Sequence, residues 1–110
     1  MHAGGMNMIE LALLKGKYSA FKTEKDLRSA LASEGYDIFS WQDSPGAYYS
    51  PHQHPHNEYI VVYSGAILFN INNKQYAVEA GDMLLLPKDT IHEAENRGIN
   101  SARYFICTRQ

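Results

Sequence analysis

From residue 36 onward the chain carries six short apolar runs separated by turn residues, and this pattern restricts the available folds more than any other feature. The runs are rich in Tyr, Ile, Val and Phe, which strands favour: YDIFSW, EYIVVY, AILFNI, QYAVE, MLLLP and ARYFIC. Asn72-Asn73 between two runs is typical of a hairpin turn, because asparagine tolerates positive φ. No helical pattern that could connect parallel strands follows residue 35. The sequence therefore predicts an all-β sandwich or barrel.

The first 35 residues have a different pattern. The segment TEKDLRSALASEGY predicts an amphipathic helix over about residues 24–34, with Thr23 as the N-cap and Gly35 as the stop. The earlier stretch MIELALL is too short for periodicity to decide between helix and strand. We therefore predict an N-terminal segment of residues 1–35 and a β-barrel domain of residues 36–110.

Composition excludes several classes of protein. A chain of 110 residues corresponds to one domain. The formal net charge is −2 and no run of Lys or Arg occurs, so nucleic acid is not an expected partner. The apolar runs are far shorter than the ~20 residues of a membrane span, and we expect no membrane partner. The single cysteine, Cys107, permits no intrachain disulfide and fits a cytoplasmic location.

Three of the chain's five histidines lie within five residues, at His52, His54 and His56, and Glu58 follows two residues later. Side chains at positions i and i+2 of a strand share a face, so His52 and His54 would point the same way. Neutral imidazoles close together are what a divalent transition-metal ion requires. The cluster predicts a specific metal site, and adventitious chelation at the surface is the alternative.

One ion can bind both ends of this cluster only if the chain bends. A straight strand rises about 3.3 Å per residue and would place Glu58 roughly 20 Å from His52. Pro55 is where a bend costs least, because proline removes a backbone donor. A further ligand is expected from another strand, and His92, which follows GDMLLLPKDT, is the candidate.

The spacing of these residues resembles two sequence motifs of the cupin family. Nine positions match at the family's spacings: Gly46, His52, His54, Glu58 and Gly65 in the first motif, and Gly81, Pro87, His92 and Asn96 in the second. One position departs, since the second motif usually has glycine where this chain has Asp89. Aspartate tolerates turn conformations, so we expect the turn to form. The resemblance covers about residues 36–108.

The resemblance implies a double-stranded β-helix, which is a small jelly-roll barrel, preceded here by one short N-terminal helix. It implies that His52, His54, Glu58 and His92 bind one divalent transition-metal ion, which the sequence does not narrow beyond Mn, Fe, Co, Ni, Cu or Zn. His56 has no counterpart in the motif and is expected to support the site or lie at the surface, with a ligand role as the alternative. Small cupins commonly pair through a sheet, which implies a homodimer.

Two residues are candidates for a substrate pocket. Tyr48 precedes the first ligands and would donate a hydrogen bond on the open side of the ion, unless it only packs or lies at the strand surface. Phe69 is expected on an inward face with Ile67, as a pocket wall. Trp41 is expected in the core.

A site of three histidines and one glutamate leaves coordination positions open on an octahedral ion. The first functional hypothesis is a metalloenzyme of dioxygenase, isomerase or lyase type that acts on a small oxygenated organic molecule. The alternative is a non-catalytic module that binds or senses a small ligand such as a sugar or an organic acid. No second acid–base candidate lies near the motif, so the sequence assigns no reaction.

Overall fold

Each of the six short apolar runs forms a strand, and the part of the chain that the structure describes contains nine strands and one helix in all. The computed structural model describes residues 8–109, so the first seven residues of the predicted N-terminal segment and Gln110 lie outside the described range. The elements within it are β1 (Ala12–Leu14), α1 (Glu24–Ser33), β2 (Asp37–Asp43), β3 (Tyr48–His52), β4 (Glu58–Ser64), β5 (Ala66–Ile71), β6 (Lys74–Glu79), β7 (Met83–Leu86), β8 (His92–Glu95) and β9 (Ala102–Thr108).

The strands form two antiparallel sheets. One sheet has five strands in the order β1-β7-β4-β9-β2, and the other has four in the order β3-β8-β5-β6. Strands that are distant in sequence are neighbours in both sheets, as a jelly-roll topology requires. The predicted all-β fold with one short helix is confirmed. No helix in the described residues is long and apolar enough to cross a bilayer.

The main core lies between the two sheets and is built from alternate strand positions. Ile67, Phe69 and Ile71 of β5 are buried and face inward, as predicted, and Ile60 and Val62 of β4 meet them from the other sheet. Burial of each such side chain contributes about 1.5–3 kcal/mol.

A second core lies on the outer face of the five-stranded sheet, where α1 packs. Thr23 caps the helix, because its Oγ1 accepts a hydrogen bond of 3.1 Å from Asp26 N. Leu27 and Leu31 are buried in the cluster that also contains Val61 of β4. Strand β4 is therefore covered on both faces, which explains why its sequence is almost continuously apolar.

The ambiguous MIELALL stretch provides an edge strand. Residues Ala12–Leu14 form β1, which pairs antiparallel with β7 so that Leu13 lies opposite Leu84. The N-terminal segment thus extends the sheet that the helix covers.

Two turns depend on residues that accept positive φ. Asn72 and Asn73 have φ values of 53° and 63° and close the β5–β6 hairpin, as predicted. At Gly65 φ is 73°, and a Cβ atom would lie 2.5 Å from the carbonyl oxygen of Ser101. Only glycine fits this turn between β4 and β5.

Asp82 attaches the N-terminal segment to the barrel. Its carboxylate accepts hydrogen bonds from Lys15 Nζ at 2.6 Å, Gly16 N at 2.8 Å and Glu79 N at 2.9 Å. Burial opposes ionisation of this carboxyl group, but the three hydrogen bonds outweigh burial and hold the pKa of Asp82 below its usual value.

We expect Asp82→Asn to lower the free energy of unfolding by about 1–3 kcal/mol near neutral pH, because an amide nitrogen cannot accept the bonds that a carboxylate oxygen accepts. The pKa is lower in the folded than in the unfolded protein. The stabilisation is therefore present above about pH 4 and is lost as the pH falls through the folded-state pKa. Urea unfolding of both proteins from pH 7 to pH 2 measures the difference, which should shrink at acid pH. Asp37→Asn at an exposed position of β2 is the matched control, and a pH-independent difference would contradict the assignment.

Candidate metal centre

Three histidines converge on one wall of the barrel. His52 ends β3, His92 begins β8, and His54 lies in the loop after β3. The ring centroids are 4.3 Å apart for His52 and His92, 5.0 Å for His52 and His54, and 5.3 Å for His54 and His92. One ring nitrogen from each of the three lies within 4.8 Å of the others. A metal ion about 2.0–2.2 Å from each nitrogen fits this spacing after small side-chain adjustments.

Strand pairing brings two of these residues together. β3 pairs antiparallel with β8, and His52 lies directly opposite His92. The third histidine is held by loop contacts, since the backbone carbonyl of His54 accepts a hydrogen bond of 2.8 Å from Asp89 N. Asp89 has a φ of 60°, so the turn forms with aspartate where the family usually has glycine.

Backbone carbonyls orient two of the imidazoles. The Nδ1 atoms of His52 and His92 lie 2.6 Å from Ser50 O and 2.8 Å from Thr90 O. A carbonyl oxygen can only accept, so each Nδ1 carries the proton and donates it. The lone pair of each Nε2 is therefore free for a metal ion, which is the second-sphere arrangement that histidine ligands commonly use.

The environment of His92 favours its neutral form. Burial lowers the pKa of His92, and the neighbouring His52 and His54 lower it further, against the opposing effects of the Thr90 carbonyl and Glu58. Only a neutral imidazole binds a metal, so His92 remains able to act as a ligand at a lower pH than a free histidine would.

Glu58 and His56 lie beside the three histidines. Glu58 begins β4, is 8% exposed and places Oε2 at 3.9 Å from His54 Nε2 and 3.2 Å from His56 Nε2. Its carboxylate is thus near the cluster, although the group of close ligand atoms consists of the three histidines. The His56 side chain is 52% exposed, and its ring stacks on that of His54 at 5.8 Å. The chain bends between His52 and Glu58, in a loop that contains Pro55.

The histidines open onto a cavity of about 300 Å³ between the sheets. The sequence did not predict most of the residues that line this cavity. The lining side chains are Phe39, Trp41, Tyr49, His52, His54, Glu58, Ile60, Phe69, His92, Ala94, Tyr104 and Ile106. Trp41, which was expected in the core, is instead 42% exposed and lines this cavity.

The two predicted pocket residues have different positions. Phe69 is buried and lies in the wall, with its ring centroid 6.1 Å from that of His92. Tyr48 does not line the cavity, and this prediction is corrected. Its side chain is on the outer face, and its hydroxyl donates to Glu93 Oε2 at 2.6 Å. The inward residue is Tyr49, because β3 has a register shift between Tyr49 and His52.

A buried aspartate behind the cavity wall was also missed. Asp43 ends β2 and is 3% exposed. Its carboxylate accepts hydrogen bonds from the hydroxyls of Tyr49 and Tyr104, and from Trp41 Nε1 at 3.0 Å. The alternation of side chains along β2 could have revealed the position of Asp43, because Phe39, Trp41 and Asp43 share a strand face.

Residues 39–108 match the sequence profile of the Cupin_2 family, described as the cupin domain. The chain therefore belongs to the cupin family, and its two sheets are a cupin barrel. A comparison with curated proteins found no match.

Solved structures show the same fold. A conserved protein of unknown function from Streptococcus pyogenes has a TM-score of 0.59 and 16% identity, over 69% of this chain and 65% of that one. A protein with a double-stranded β-helix domain from Klebsiella pneumoniae has a TM-score of 0.59 and 23% identity, over 68% of this chain and 67% of that one. Oxalate decarboxylase from Bacillus subtilis, which has Mn(II) centres, has a TM-score of 0.61 and 21% identity, over 69% of this chain but 22% of its own.

The donor atoms fit a transition-metal site. Imidazole nitrogens suit Zn, Cu, Fe and Ni, and a nearby carboxylate also suits Mn. The only cysteine, Cys107, is buried in the outer core and is not part of the cluster. A closed thiolate site of the structural zinc type is therefore not what these residues form.

We expect His54→Ala and His92→Ala each to abolish stoichiometric binding of a divalent transition metal, because each removes one of three converging nitrogens. His56→Ala should keep most of the binding and is the matched control, since it removes an imidazole only two residues from His54. Equilibrium dialysis of tag-free protein with elemental analysis measures the metal content. If His56→Ala loses the metal while Glu58→Gln keeps it, the ligand assignment is wrong.

Proposed function

We propose that this cupin is a metal-dependent enzyme of dioxygenase, isomerase or lyase type that acts on a small oxygenated organic molecule. One observation carries the proposal: three histidines converge on the wall of a cavity of about 300 Å³. A purely structural site would not need to face a space large enough for a ligand.

In this proposal His52, His54, Glu58 and His92 hold one divalent transition-metal ion. Glu58 is the anionic ligand because it lies on the inward face of β4, beside His54. When bound, such an ion polarises a carbonyl or hydroxyl oxygen, stabilises an enolate or, if redox-active, activates dioxygen. The Mn(II) centres of the structurally similar oxalate decarboxylase support a metal-binding role for this fold.

The residues of the chain would contribute orientation and exclusion of water. The Ser50 and Thr90 carbonyls keep the Nε2 atoms of His52 and His92 directed at the ion. Phe69 closes the wall next to His92 and limits the approach of solvent from that side. A small oxygenated molecule would reach the ion through the space in front of these residues.

A binding or sensor module is the second candidate, and one observation favours it. Apart from the imidazoles and Glu58, the cavity walls are apolar or have their polar hydrogens bonded to Asp43. Within the described residues no further acid–base group therefore faces the ligand. A module that only binds its ligand would need none.

The enzyme proposal predicts metal-dependent turnover. Tag-free protein is stripped of metal, reconstituted separately with Mn, Fe, Co, Ni, Cu and Zn, and tested for binding and product formation with a panel of small oxygenated molecules. We expect product with at least one ion, and none from the apo protein or from His92→Ala. Equally tight ligand binding without metal, with no product under any ion, would establish the binding module instead.

We also propose a homodimer. β2 lies at the edge of the five-stranded sheet, where an unpaired strand invites another chain to pair. We expect light scattering at micromolar concentration to report twice the mass of the chain, and a monomer throughout would refute the dimer.

The cytoplasmic location stays a prediction.

A further inference from the structure

The part of the cavity wall away from the histidines is lined by apolar and aromatic side chains. The aromatic ones are Phe39, Trp41, Tyr49, Phe69 and Tyr104, and the aliphatic ones are Ile60, Ala94 and Ile106. Such walls attract the apolar part of a ligand, because the cavity and the ligand both lose contact with water.

The polar hydrogens of these aromatic residues are not available to a ligand. The Tyr49 hydroxyl donates to Asp43 Oδ1 and the Tyr104 hydroxyl to Asp43 Oδ2. Trp41 Nε1 lies 3.0 Å from Asp43 Oδ1 and 2.9 Å from the Tyr49 oxygen. Asp43 is almost fully buried and is not among the lining residues, so this network turns the donors away from the cavity. The aromatic rings, and not their polar groups, therefore form most of this part of the cavity surface.

The charged side chains of the described wall lie at the metal end. Among residues 8–109 no lysine or arginine lines the cavity, and Glu58 is the only carboxylate that does. An adjoining cleft that shares Phe39, Glu58 and Ile106 contains Asp37 and His56, and among the described residues no lysine or arginine lines it. A second anionic group on a ligand would therefore have no lysine or arginine to pair with among the described residues, and an unpaired charge is costly to bury.

We propose that the ligand of this site is an aromatic or similarly apolar molecule with a single metal-chelating oxygen head group, and not a sugar, a phosphate ester or an acid with two separated carboxylates. The choice of head group rests on the proposed function, because a chelating head group requires a bound metal. The choice of an apolar ligand body depends only on the side chains that line the wall. A cavity of about 300 Å³ lies at the small end of ligand pockets, which fits a compact molecule.

The position of the rings indicates how such a ligand would lie. Phe69 lies beside His92, so the wall adjoins the metal end. Phe39 and Trp41 are stacked, with 26° between their planes, and are partly exposed on the inward face of β2. A ligand that chelates at the histidines would place its apolar part against these aromatic faces and cover them.

The test compares ligands that share a head group. Zn²⁺-loaded protein is titrated calorimetrically with acetohydroxamic acid, benzohydroxamic acid and 4-carboxybenzohydroxamic acid. We expect the phenyl compound to bind about tenfold or more tightly than the methyl compound, because it buries a ring. The added carboxylate should remove most of that gain. Equal affinities, or tightest binding of the carboxylated compound, would overturn the proposal.

Variants test whether the aromatic wall causes the tighter binding of the phenyl compound. Trp41→Ala should weaken benzohydroxamic acid several-fold and leave acetohydroxamic acid unchanged. Phe21→Ala is the matched control, because Phe21 is also 42% exposed but does not line this cavity. A loss that is equal for both compounds, or equal in both variants, would contradict a role for Trp41 in binding the ring.

A metal-free arm separates this inference from the proposed function. Trp41 is the only tryptophan, so its fluorescence reports occupancy of the cavity. We expect apo protein to bind 2-naphthol, and neither glucose nor succinate. Binding of naphthol by a protein that does not bind Zn²⁺ would refute the metal site and keep the apolar ligand. Binding of Zn²⁺ without any preference for aromatic compounds in either arm would refute the apolar ligand and keep the metal site.

Discussion

The burial of β4 on both faces is the constraint on which the rest of the structure depends. Ile60 and Val62 face the opposite sheet, while Val61 faces the cover provided by α1. Two cores share this one strand, so the barrel and its N-terminal segment stabilise each other through it. The same strand begins with Glu58, whose inward position follows from the alternation that buries Ile60.

The candidate metal centre depends on strand register in the smaller sheet. His52 and His92 are direct cross-strand partners, and their ring orientation comes from backbone carbonyls two residues earlier in the chain, Ser50 within β3 and Thr90 before β8. The site therefore lies on regular structure on two sides and on a loop only at His54. Such support suits a site that must hold ligand atoms at fixed separations. The cavity beside it is apolar because the barrel core continues into its wall.

Much of this could be predicted from the sequence because the signals are local. The Asn72-Asn73 hairpin, the Thr23 cap and the alternation in β5 each depend on neighbouring residues only. The residues that line the pocket were harder to predict from the sequence. Sequence alternation places Tyr48 on the face of His52, but an extra residue between Tyr49 and His52 shifts the register, so Tyr49 faces inward. Trp41 looked like a core residue because its strand pattern does not show that β2 faces an open cavity.

The sequence by itself determined the class of fold, the cupin motifs and the candidate ligands, of which the structure brings His52, His54 and His92 together, because these follow from residue type and short spacing. Only the tertiary structure decided which ring nitrogens are presented, that Asp43 engages the hydroxyls of Tyr49 and Tyr104, and that the remaining wall is apolar. Those properties come from contacts between strands far apart in the chain. No local pattern specifies such contacts, because the strand register and the bulge in β3 decide which side chains meet.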